Sequence, residues 1–201
     1  VTRDARASLL LIVALAALCA LATGCSRKEQ QTEFKSGVFE PPREAPSFQL
    51  DGSDGSDISL REYHGKVVAI AFGFSHCPRV CPVTLAHLSE VAQKLGAAAK
   101  DLQVLFITVD PERDSPARLR EFLDYFNPAF RGATGQPEKL SAVEKEYGVI
   151  AERVASQDAK LGYEVHHSSS IYLIDRAGKL RVLVPFGRPV QDLLHDIQEL
   201  L

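Results

Sequence analysis

Two long apolar runs constrain this chain more than any other feature. Val67-Val68-Ala69-Ile70-Ala71-Phe72 is unbroken, and Leu102 to Val109 is nearly so. Runs of this length, bounded by turn residues and without sustained alternation, are typical of strands buried on both faces. Such strands are usually parallel and need a crossover. The residues between them supply one, because Leu85, Leu88, Ala92 and Leu95 fall on one helix face. The first run also delivers the chain to two cysteines, Cys77 and Cys81, in Ser75-His76-Cys77-Pro78-Arg79-Val80-Cys81-Pro82.

The remaining pattern fills in around that unit. Phe48-Gln49-Leu50 and Ile58-Ser59-Leu60, joined by a Gly/Asp/Ser turn, predict a hairpin. Ser115-Pro116 opens a helix with Leu119, Phe122, Leu123 and Phe126 inward. Pro137 to Tyr147 predicts a shorter helix on Leu140 and Val143. Ile171 to Ile174 and Leu180 to Val184 flank a turn, as in an antiparallel hairpin, and Val190, Leu193, Leu194 and Ile197 form the face of a closing helix. The order βαβ, helical connection, ββα predicts an α/β thioredoxin-like fold. A central mixed sheet is flanked by helices, with an N-terminal β-hairpin extension. In that arrangement the cysteines fall at a helix start, where backbone N–H groups favour thiolate.

The N-terminus reads as an export signal. Arg3 and Arg6 precede an apolar run from Leu9 to Ala22, too short for an ordinary membrane span. Leu21-Ala22-Thr23-Gly24-Cys25-Ser26 resembles a bacterial lipoprotein cleavage box, in which Cys25 would be acylated. The alternatives are ordinary signal cleavage and an uncleaved anchor. The predicted organisation is a signal segment over 1–25, a flexible tether over 26–45, and a domain over 46–201. The expected location is the periplasm or the outer face of the cytoplasmic membrane. Export leaves Cys77 and Cys81 as the thiols of the mature domain, in an oxidising compartment. The net charge of -3 and the lack of a basic tract give no reason to expect nucleic acid.

Two thiols four residues apart could exchange a disulfide, bind a soft metal or crosslink. A crosslink over so small a loop adds little stability, and structural zinc needs about four ligands. Redox exchange and Cu(I) binding remain, since Cu(I) accepts few ligands and prefers thiolate. The i, i+4 spacing would place both sulfurs on one side of a helical turn. Methionine is absent, which removes thioether ligands. Among the histidines, His64, His76, His87 and His195 read as surface or helix residues. His166-His167 stand in the predicted loop before the last hairpin, from which one of them could reach the sulfurs.

Several motifs resemble the Sco/SenC proteins, copper-binding thioredoxin-like factors of cytochrome c oxidase assembly. They are Phe72-Gly73-Phe74-Ser75-His76-Cys77-Pro78 with Cys81-Pro82, Val109-Asp110-Pro111-Glu112-Arg113-Asp114-Ser115-Pro116, Thr134-Gly135, and Tyr163-Glu164-Val165-His166-His167-Ser168 with Tyr172-Leu173-Ile174-Asp175. The resemblance implies Cys77, Cys81 and His167 as ligands of copper, as Cu(I) and Cu(II). It implies Asp110 close to the site and His166 in a supporting position that is usually Asp. Arg79 stands where an acidic residue is common.

The expected function is a copper metallochaperone that delivers to the CuA site of cytochrome c oxidase subunit II. A copper donor chaperone and a thiol reductant would be its other partners. One alternative is a membrane-tethered thiol-disulfide reductase that keeps the CuA cysteines reduced, with Cys77 and Cys81 as its redox pair. Another is a copper or redox sensor. Any enzyme activity would be thiol–disulfide exchange.

Overall fold

The computed structural model describes residues 33–156 and 162–201. Its strands are Gly37–Glu44 (β1), Gln49–Gly52 (β2), Asp57–Ser59 (β3), Val67–Gly73 (β4), Leu102–Thr108 (β5), Arg131–Thr134 (β6), Ala151–Ala155 (β7), Tyr163–His167 (β8), Ile171–Ile174 (β9) and Lys179–Val184 (β10). Its helices are Val80–Leu95 (α1), Pro116–Asp124 (α2), Pro137–Tyr147 (α3) and Val190–Gln198 (α4).

The two apolar runs form the centre. Every residue of β4 and β5 is buried, and they pair in parallel from Val67↔Leu102 to Gly73↔Thr108. The eight-stranded sheet has the order β1-β10-β9-β4-β5-β6-β2-β3. β6 extends it in parallel, while β9 and β10 return antiparallel. This is the mixed thioredoxin-like sheet, with the predicted hairpin β2–β3 joined to its edge through β6. α1 packs against α4, and α2 covers β6 with the buried Leu119 and Leu123. A Cβ at Gly132 would lie 2.8 Å from the Leu119 Cβ, so only glycine lets that helix approach. Ser115 caps α2 by accepting the Arg118 N–H at 3.2 Å, with Pro116 in the first turn.

Three elements differ from expectation. The segment predicted as a flexible tether, 26–45, supplies a strand: β1 pairs antiparallel with β10 at the sheet edge. Pro41 and Pro42 hid it. Edge strands tolerate proline, and the register shifts between Val38 and Arg43 around them. The chain just ahead of β1 is also held, since the Lys35 N–H donates to the buried Asp196 at 2.6 Å. β6 was missed because its small residues lack a strand signature. The third difference is β7–β8, a separate two-stranded sheet in which His166 and His167 end a strand and not a loop. The predicted signal segment, with Cys25, lies outside the described residues. Among those described, no helix is long and apolar enough to cross a membrane.

Candidate metal centre

Cys77 and Cys81 follow the end of β4, but not on one helical turn as the spacing suggested. Pro78 bends the loop, α1 begins at Val80, and only Cys81 is helical. The loop folds back so that the Cys77 Sγ accepts the Cys81 backbone N–H at 3.4 Å. Cys77 is half-buried and Cys81 is 2 % exposed; both are free thiols. Gly73 makes room for the inner sulfur. A Cβ there would meet the Cys81 Sγ at 2.7 Å and the Phe106 ring at 2.8 Å.

His167 arrives from the other sheet as the last residue of β8. Its Nε2 lies 3.5 Å from the Cys81 Sγ. Its Nδ1 lies 2.8 Å from the Ser168 carbonyl oxygen. That oxygen can only accept, so Nδ1 carries the proton of the neutral ring and the Nε2 lone pair points at the thiols. Phe74 holds the ring edge-on, with centroids 5.8 Å apart. One ligand atom from each of Cys77, Cys81 and His167 lies within 4.8 Å of the others, the one such cluster among the described residues.

The two thiols are electrostatically unequal. Cys77 is held down to about 3, first by the hydrogen bond from the Cys81 thiol, against burial, and then by hydrogen bonds from the backbone. Cys81 is pushed up by the same hydrogen bond, by burial, and by the negative charges of Cys77 and Asp114. The pair therefore shares one proton, which stays on Cys81.

Asp110 is buried, but its partners lie on the hairpin and its own loop. It accepts from the Tyr163 hydroxyl at 2.6 Å and from the Arg113 Nε, and Arg153 approaches to 3.7 Å. The Arg113 guanidinium lies 3.9 Å above the Tyr163 ring and 5.6 Å above the Phe74 ring. Asp110 thus ties the loop after β5 to Tyr163, the first residue of the strand that ends in His167. His166 is exposed on the opposite face of β8 and stands outside the donor cluster. It lines a cleft of about 180 Å³ beside Cys77, with Pro78, Arg79 and Tyr163.

Asp114 is the residue that sequence reasoning left without a role. Fully buried under the cysteine loop, it accepts from the Ser75 N–H at 3.0 Å, the Ser75 hydroxyl at 2.6 Å and the Thr108 hydroxyl at 2.7 Å. The sequence signal was its place in the Asp110–Pro116 motif, which carried attention to Asp110 alone. His64, His76, His87 and His195 do not join the donor cluster.

The SCO1/SenC family model matches residues 38–201. This chain belongs to the SCO1/SenC family. It is 37% identical over 132 residues to the SCO2-like protein of Rickettsia felis, covering 66% of this chain and 64% of that relative, so the match spans just under two thirds of the relative's length. Among solved structures, it is similar to Bradyrhizobium japonicum ScoI with copper bound, at 34% identity and a TM-score of 0.71, covering 79% of this chain and 99% of that one. It is also similar to BsSco, described as a Sco family cytochrome c oxidase assembly protein with a disulfide switch, at 25% identity and a TM-score of 0.63, covering 84% and 96%. The SCO1/SenC match runs through the thiol loop and the hairpin, so it includes every residue of the donor cluster.

Proposed function

We propose that this protein is a copper carrier, in which the sulfurs of Cys77 and Cys81 and the Nε2 of His167 hold the ion. One observation carries the reading: two thiols and a ring nitrogen already freed by its tautomer converge within 4.8 Å. Two thiolates and an imidazole suit copper, and Cu(I) above all. Loading displaces the proton held by Cys81, so affinity rises with pH through this step. The likeness to copper-bound ScoI and to an oxidase assembly protein supports copper as the cargo and the CuA site of cytochrome c oxidase subunit II as its destination. A copper donor and a thiol reductant complete the cycle. The Leu9–Ala22 run and the box around Cys25 support export and anchoring, with Cys25 acylated.

The test is anaerobic transfer from reduced, copper-loaded protein to an isolated apo-CuA domain. Stoichiometric appearance of the CuA spectrum is expected, and its absence overturns delivery. The thiol inequality favours a second activity on the same pair. A partly exposed thiolate beside a buried thiol is the arrangement of an attacking and a resolving cysteine. A His167→Ala variant that still reduces an oxidised subunit II fragment would establish it.

A further inference from the structure

The hairpin β7–β8 leaves one edge of β8 open beside the thiols. The ladder shows which backbone groups point there. The Ser168 N–H donates to the Ile150 carbonyl at 2.9 Å, and the Ser156 N–H to the Gly162 carbonyl at 3.3 Å. Hydrogen-bonded positions alternate along an antiparallel pair. Glu164 and His166 therefore exchange bonds with β7, while Tyr163, Val165 and His167 direct their N–H and carbonyl groups away from it. The Arg113 Nη1 takes the Tyr163 carbonyl at 3.2 Å. Among the described residues, no strand pairs with this edge.

That edge borders the cleft beside Cys77. Tyr163 and Val165 line the cleft from the hairpin, and Cys77, Pro78 and Arg79 line it from the thiol loop. Its volume of about 180 Å³ is below the roughly 300–1,000 Å³ of small-molecule sites. An unpaired strand edge is instead a template for another strand. A strand added about 4.8 Å from β8 would enter this cleft and bring its side chains to the Cys77 sulfur. The outer edge of β7 is also unpaired, but Cys77 borders the β8 side.

Charge narrows the occupant further. Arg79 is exposed and joins no ion pair among the described residues. The other arginine of the cleft, Arg113, is held by Asp110. Glu164 accepts from the Ser156 hydroxyl at 2.9 Å and alternates to the face of β8 opposite Tyr163 and Val165. The charge left for an incoming chain to meet is the cation of Arg79.

We infer that the cleft receives an extended, cysteine-bearing segment of the recipient protein, which adds to β8 as a strand through the Val165 N–H and carbonyl, with an acidic residue beside its cysteine meeting Arg79. This rests on the thiol exchange proposed above for the same pair. The Cys77 thiolate attacks one sulfur of the segment's disulfide, and the other sulfur leaves as thiolate and takes a proton from water. The Cys81 thiol then gives its proton to solvent and attacks the Cys77 sulfur. A Cys77–Cys81 disulfide forms, the segment departs with both cysteines reduced, and two electrons have passed to it.

The test uses the detergent-solubilised full chain as Cys81→Ser, which stops at the mixed disulfide. The probes are heptapeptides whose central cysteine is activated as its thionitrobenzoate disulfide. They carry Glu or Lys beside that cysteine, and each backbone nitrogen is methylated in turn. Mass mapping follows the adduct on Cys77 alone, and a small aromatic disulfide reports its intrinsic reactivity. Methylation should slow exchange about tenfold at one position, or at two positions two apart, where a Val165 or His167 carbonyl loses its donor. Equal rates, or slowing at every position, overturn the strand pairing. Arg79→Glu should shift the preference from Glu peptides to Lys peptides by about fivefold or more, and an unchanged preference overturns the acidic partner. Normal exchange with the small disulfide but no positional pattern overturns the docking alone. Failure of Cys77 to exchange with the small disulfide overturns the thiol exchange, and the docking with it.

Discussion

The Tyr163 hydroxyl donates to the buried carboxylate of Asp110 at 2.6 Å, and this bond ties the hairpin that carries His167 to the loop after β5. The carboxylate and the burial together push the Tyr163 phenol up to about 12, with burial the larger cause. Tyr163→Phe keeps the ring between Arg113 and Arg153 but removes the bond. A hydrogen bond to a charged group contributes about 1.5–3 kcal/mol, so copper affinity should fall about tenfold or more while both thiols still titrate. Competition with a chromophoric Cu(I) chelator measures the first, and thiol counting the second.

The histidines separate cleanly. His167→Ala should lower copper affinity by about two orders of magnitude, the scale on which second partners alone already cost tenfold or more. His166→Ala should change it by less than about threefold, because that ring lies on the far face of β8. Equal losses in the two variants, by the same competition assay, would contradict the donor assignment.

Thiol reactivity should be lopsided in pH. The Cys77 pKa is depressed to about 3, so its thiolate persists above that value and is lost only as pH falls through it. Alkylation of Cys77 by iodoacetamide should be nearly flat from pH 8 to pH 5, a range in which an ordinary thiol slows by orders of magnitude. Cys81, raised in pKa and buried, should stay unmodified until the domain unfolds. Mass spectrometry of time-resolved alkylation reads both.

Asp114→Asn keeps the shape of the side chain but removes the charge that helps hold the proton on Cys81. Thiolate absorbance near 240 nm should then show Cys81 ionising at a lower pH than in the parent. Asp114→Ala, which also strips the Ser75 and Thr108 hydroxyls of their acceptor, should cost about 3 kcal/mol of stability, read as a fall in Tm.

Gly73→Ala places a methyl 2.7 Å from the Cys81 Sγ and against Phe106. Overpacking of this kind costs about 1–3 kcal/mol. The variant should fold with a lower Tm and bind copper more weakly, because relief requires the inner sulfur or the Phe106 ring to move.

What the sequence made legible follows from where each element is buried. β4 and β5 are apolar because both faces are covered, so their composition alone marks them. Cys77 and Cys81 stood out by their spacing, and motif resemblance chose His167 over His166, which spacing alone left open. β7 was invisible because Glu152 and Arg153 are exposed and little of it is buried. β1 was masked by its two prolines. The loop geometry of Cys77 was misjudged, since a four-residue spacing suggests a helix, but Cys77 precedes a proline and the helix starts only at Val80, after a non-helical Arg79. Asp114 was hidden because a buried acid looks like a surface acid until its hydroxyl partners are known.

The donors are divided between two sheets. Cys77 and Cys81 follow a strand of the eight-stranded sheet, while His167 ends a strand of the separate pair β7–β8. A two-stranded unit has little stability of its own and depends on what anchors it. The donor set is therefore divisible. A disturbance of the hairpin can withdraw the imidazole without touching the dithiol, whereas oxidation of the dithiol removes both thiols and leaves the imidazole in place.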